Sequence, residues 1–241
     1  LFVFIFRFVH ILNKKTIMKK TILLGAIALI SLSTFAQDKS DNSRITYGVK
    51  AGVTFPTFSV SGDDFNGNSA KSITSFYVGG IVNIPVHSML SVQPGLTLIG
   101  KGGKTTSAIV GSSDFVEFTP LYLEVPVNVV ASFEAGPGKV FVGAGPYLSF
   151  GIGGKLKSTK SDVTTSQDLK FGTNSSTDQS KHFKSLDFGV NFLLGYQLTN
   201  GLSINGGYGL GLTNISPNTD IANNTGSLKN SVVSVGLGFA F

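Results

Sequence analysis

Eight stretches of this 241-residue chain alternate apolar and small polar residues with a period of two. In the first, Ile45, Tyr47, Val49, Ala51, Val53 and Phe55 share one face, and Thr46, Gly48, Lys50, Gly52 and Thr54 the other. Successive side chains of a strand point to opposite sides, so this pattern predicts a sheet whose faces meet two different surroundings. It recurs at Phe76–Ile84, Leu90–Leu98, Leu121–Val129, Val140–Phe150, Leu186–Leu198, Leu202–Leu212 and Val233–Phe241. Each stretch is near or above the ~9–11 residues with which a tilted strand crosses a bilayer.

A soluble sandwich also alternates, but its outer face carries many Lys and Glu. Here the polar face holds mostly Gly, Ser, Asn and Thr, side chains suited to a narrow barrel interior, while Tyr, Phe and Leu gather on the other. The connections are asymmetric as well. Those at 57–74, 101–115, 153–184 and 213–230 are long and polar. Those at His87-Ser88, Glu134 to Gly138 and Thr199-Asn200-Gly201 are tight, and Asn-Gly is a strong hairpin dipeptide. Alternating long and short connections with an even strand count predict an all-β, eight-stranded, antiparallel up-and-down transmembrane barrel over 45–241. Its short turns and both ends would lie in the periplasm. The competing fold is a soluble periplasmic β-sandwich, which membrane fractionation would expose.

From Met18 the chain reads MKKTILLGAIALISLSTFAQ: a positive pair, an apolar core from Ile22 to Leu32, and a small-residue site ending at Ala36 before Gln37. This is the plan of a cleavable secretory signal peptide over 18–36, followed by a short periplasmic lead over 37–44. Residues 1–17, which precede a complete signal, are expected to be upstream sequence from a mis-set start, the alternative being an extended N-terminus. A mature protein beginning far from Gln37 would overturn the signal-peptide reading.

The formal charge of +6 then loses its apparent meaning. Residues 1–36 hold five basic and no acidic side chains, so the rest carries 14 basic against 13 acidic residues, a poor partner for nucleic acid. Without cysteine there is no disulfide framework, thiol nucleophile or Cys-ligated metal. Neither a cofactor nor a metal is expected. Asp63-Asp64 with Asn66 and Asn68 could hold calcium but reads better as a polar loop, and Gly100 to Thr105 lacks the first glycine of a phosphate loop, Leu98 standing there. His87-Ser88 sits in a short turn, and His182 lies in the longest loop near Asp178, Ser180, Ser185 and Asp187. Solvated loop residues account for these better than catalysis does, and no enzyme is expected.

Glu124 is a carboxylate in mid-strand on the inward face. Burial of a lone charge is costly, so a partner is required. Lys50 faces the same lumen and Lys101 is a further candidate; the expected structural ion pair is Glu124 with Lys50.

Three segments resemble one family. Tyr47-Gly48-Val49-Lys50-Ala51-Gly52-Val53 is similar to the opening G-x-K-x-G strand of PorT-like outer-membrane β-barrels. Tyr122 to Val127 resembles their Y-L-E-I-P segment, and Val142 to Tyr147 their G-x-G-P-Y strand. A terminal Phe241 resembles the signal read by the barrel-assembly machinery. The resemblance implies a small barrel of Gram-negative outer membranes, and its namesake is linked to secretion. The expected role is structural or interactive, presenting polar loops without an open pore. The partners expected are outer-membrane lipid and, during insertion, the assembly machinery. A small transport, secretion-associated or channel component is the alternative, and a lipid-modifying barrel enzyme the third.

Overall fold

The computed structural model describes residues 44–61, 69–106, 115–160, 163–169, 171, 184–215 and 227–241. The signal segment, Asp63-Asp64 with Asn66 and Asn68, and His182 with Asp178 and Ser180 lie outside these. Among the described residues there are eleven strands and no helix: β1 Thr46–Ser61, β2 Ser69–Lys71, β3 Ser75–Pro85, β4 Leu90–Gly100, β5 Gly103–Thr106, β6 Phe115–Ala135, β7 Gly138–Lys160, β8 Val163–Asp168, β9 Leu186–Leu198, β10 Leu202–Gly211 and β11 Ser227–Ala240.

Eight of them close a ring. β1 pairs with β3, then β4, β6, β7, β9, β10 and β11 follow in chain order, and β11 returns to β1 with every pairing antiparallel. The seam runs from Gly48↔Ala240 to Ser61↔Ser227, and Tyr47 and Phe241 extend it with Phe241 N donating to Tyr47 O at 2.9 Å. A closed sheet leaves no ladder of unpaired amides, which is what apolar strands in lipid require. β2, β5 and β8 are short additions at the long-connection end. There they continue the sheet beyond the ring against β6 and β7.

The alternation read from the sequence sorts side chains as expected. Val49, Phe76, Phe192, Leu194, Ile204, Val235 and Leu237 face outward and are exposed, with Ile204 at 57% and Leu237 at 58%. A continuous exposed apolar band of this kind marks a lipid contact. Tyr77, Thr97, Tyr122, Glu124, Asn128, Tyr147, Ser149 and Asp187 face inward and are buried.

Inward glycines make room for the larger lumen side chains. A Cβ at Gly189 would stand 2.6 Å from two ring carbons of Tyr147, and one at Gly52 would stand 2.7 Å from the Tyr77 ring. Glycine at a strand position where another group approaches closely is the general case. The tight connections are as read: Gly201 has φ 88° and Gly136 φ 61°, both in the left-handed region that side chains disfavour.

Candidate functional site

The lumen's polar centre follows from register. On the inward face Thr97 of β4 lies across from Glu124 of β6, Glu124 across from Ser149 of β7, and Ser149 across from Asp187 of β9. Directly opposed residues in an antiparallel pair share a face. Two carboxylates therefore stand in one cross-strand row, separated by a single serine.

Lys101 resolves the repulsion. It follows β4 in the inward phase of Thr97 and Ile99, its amide donating to Pro120 O at 3.0 Å, and the chain then turns at Gly102 with φ 118°. Its Nζ lies 2.9 Å from Glu124 Oε2 and 3.0 Å from Asp187 Oδ2, and donates to Ser149 Oγ at 2.9 Å. Ser149 Oγ in turn donates to Glu124 Oε2 at 3.0 Å. Asn191 Nδ2 donates to Glu124 Oε1 and Asn230 Nδ2 to Asp187 Oδ2, each at 3.0 Å, while Tyr147 OH reaches Asp187 Oδ2 at 3.3 Å. The ammonium also sits 4.0 Å from the Tyr147 ring centroid and 5.3 Å from that of Tyr122.

This network ties β6, β7, β9 and β11 to the end of β4 across the interior, with Glu124 5% and Asp187 0% exposed. Charges so placed must be paired and hydrogen-bonded, and these are.

The pairing expected from sequence is thereby corrected: the contact partner of Glu124 is Lys101, not Lys50. Lys50 does point into the lumen, where its Nζ lies 5.8 Å from the Tyr77 ring centroid, and its charge reaches Glu124 through space without touching it. The reason is position. Lys50 sits on β1, which neighbours β3 and β11, whereas the turn after β4 delivers Lys101 beside β6. Asp187, read from sequence among the solvated residues near His182, is instead a buried member of this network, because only register brings it level with Glu124.

Between Lys50, Tyr77, Lys101, Glu124, Asn191 and Asn205 lies a cavity of about 80 Å³. At ~10–15 Å³ per water by that measure it fits a few water molecules rather than an organic ligand. Nearer the short turns the inward positions mix bulky apolar and polar side chains: Val130 and Leu193 flank Gly143, Phe141 covers Gly195 and Ile81 lies over Gly48 and Gly95, while Gln93 Nε2 donates to Asn83 Oδ1 at 2.9 Å and Ser91 and Asn128 are buried beside them. His87 and Ser88, which are hydrogen-bonded at 3.1 Å, are exposed in the turn between β3 and β4, at the end away from the long connections. No cluster of three or more His, Asp or Glu suited to a metal occurs among the described residues.

A closed ring of eight antiparallel strands, apolar outside and polar within, defines a transmembrane β-barrel of the outer membrane. The family comparison agrees. Residues 35–216 match the outer membrane protein beta-barrel domain family, and the chain belongs to it. The protein is accordingly an outer-membrane protein. Three solved structures to which the chain is similar are the following. OprG of Pseudomonas aeruginosa is 12% identical, with 85% of this chain and 99% of that one covered and a TM-score of 0.47. Ail of Yersinia pestis is 11% identical, covering 81% and 98%, with a TM-score of 0.37. Neisserial surface protein A is 14% identical, covering 81% and 97%, with a TM-score of 0.39. No curated protein matches the chain.

Proposed function

We propose that this barrel is closed to diffusion and acts structurally or by interaction through its external end. The observation that supports this most is the Lys101–Glu124–Asp187 network spanning the interior, with each charged group held by two or more polar contacts. Eight strands leave an interior that side chains can fill, and here they do so with ion-paired groups that cannot swing aside singly. Purified protein in planar bilayers is expected to carry no steady current. Steady ion-sized currents would overturn the reading in favour of a channel or transport component.

The narrower affinity with PorT-like barrels belongs to the same proposal. It is supported by the three motifs, which fall in β1, β6 and β7 and so share one barrel. A role for Phe241 in assembly is supported by its pairing to Tyr47 at the seam. Crosslinking in intact cells should capture neighbouring envelope proteins; a barrel that captures none would count against an interaction role. We assign no catalysis: purified protein offered lipid substrates is expected to leave them intact. Turnover abolished by His182→Ala would establish the enzyme reading instead.

A further inference from the structure

The outward face changes character at one end only. At the short-turn end its positions include Phe133, Leu198, Leu202 and Phe239, all uncharged. At the other, where β2, β5, β6, β7 and β8 overhang the ring, lysines replace them.

Register aligns these lysines. Lys71 of β2 lies across from Lys104 of β5, Lys104 across from Glu117 of β6, Glu117 across from Lys157 of β7, and Lys157 across from Ser166 of β8. One row nearer the membrane, Thr119 lies across from Lys155, which faces Asp168. Opposed residues share a face. Glu117 and Thr119 continue the phase of Leu121 and Leu123, so the face is the outward one. It therefore carries four lysines against two acids. The Lys157–Glu117 pair is loose at 3.4 Å and partly exposed; Lys104 Nζ rests on the Phe115 ring; Lys71 and Lys155 are exposed without an ion pair to any described residue.

Height is the second argument. Leu121 closes the apolar outward run of β6, and the Lys155 and Lys157 rows lie two and four residues beyond it. At a rise of ~3.3 Å per residue and a tilt near 40°, they stand about 5 and 10 Å above the apolar edge. The headgroup layer is about 5–7 Å deep on each side of the core, so the lower row stands within it and the upper row just above it. Lysine stems along the apolar edge with ammonium groups at that depth fit an anionic headgroup better than bulk solvent. In outer-membrane barrels the longer connections are the extracellular ones, so the phosphates met at that depth are those of the outer-leaflet glycolipid.

We propose that this overhanging face, through Lys71, Lys104, Lys155 and Lys157, docks the phosphates of the outer-leaflet glycolipid. The site is independent of the lumen, so a conductance result that reopened the pore question would leave it standing.

The full chain, folded in detergent micelles, is titrated with bis-phosphorylated lipid A, with its dephosphorylated form and with phosphatidylglycerol, and bound lipid is counted by native mass spectrometry. The phosphorylated form should bind best and lose affinity as salt rises. Each Lys→Gln change should weaken it by about fivefold, and the quadruple variant by about a hundredfold or more. Retained heat-modifiability on a gel verifies that each variant is folded. Equal binding of phosphorylated and dephosphorylated lipid A by the unaltered protein would overturn the proposal and needs no variant. Equal preference for phosphatidylglycerol would reduce the face to a general anion attractor and overturn the glycolipid assignment, as would a folded quadruple variant that binds undiminished.

Discussion

Lys101 is the side chain on which the interior depends. Among the described residues Asp187 Oδ1 has no hydrogen-bond partner, so the compensation of that carboxylate falls on the groups at Oδ2, of which Lys101 is the only described cation. Lys101→Met would leave two buried carboxylates facing each other across Ser149. Removing one partner of a buried pair costs about 3–5 kcal/mol, because the other charge stays buried. Urea unfolding in lipid vesicles should register a loss of that size. Lys101→Met combined with Glu124→Gln and Asp187→Asn should recover part of it, since neutral groups in the same place need no counter-charge. Lys50→Gln should cost less than Lys101→Met, Lys50 having no contact with either acid. A larger effect at Lys50 would restore the pairing read from sequence. Glu124 was legible as a lumen carboxylate because period-two phasing alone assigns its face. Lys101 was harder to read: Gly100-Lys101-Gly102-Gly103 looks like a flexible basic loop, and only the left-handed turn at Gly102 shows why its side chain goes inward.

At the scale of the strand, the eight ring members were readable and their outer limits were not. Within lipid the two faces meet different media, and alternation reports that difference. Above it both faces are wet, and the contrast fades, which is why Phe115–Thr119, Gly153–Lys160 and the whole of β8 look like loop in the sequence. Register was equally hidden, because neighbouring strands can slide in steps of two without moving any residue to the other face. The glycines carry the information that survives, and they differ sharply in what they do. A Cβ at Gly189 would meet the Tyr147 ring and, closer still, the Leu210 carbonyl, whereas one at Gly153 would meet nothing within 4 Å. Gly189→Ala should therefore cost about 1–3 kcal/mol through forced displacement of a strand and a lumen ring. Gly153→Ala should stay within about 0.5 kcal/mol. Parallel urea titrations of the two variants check this; equal effects would mean that the glycine excess reflects something other than lumen space.

Over the whole molecule the interior is layered, and the layering determines what opening it would take. Towards the long connections stands the ion-paired network; towards the short turns, Ile81, Val130, Phe141 and Leu193 line the bore, with Val130 only 1% exposed. The first layer blocks with groups held in place by charge, the second by filling the bore with bulky side chains packed among the hydrogen-bonded Asn83 and Gln93. Two barriers in series fail only together. Neutralising the upper layer with Lys101→Met, Glu124→Gln and Asp187→Asn should leave planar bilayers silent, and so should Phe141→Ala with Leu193→Ala alone. The five changes combined, in a barrel still heat-modifiable on a gel, should produce discrete currents. Current from the upper-layer variant alone would show that the lower layer is no barrier, and that the charged network by itself keeps the barrel shut.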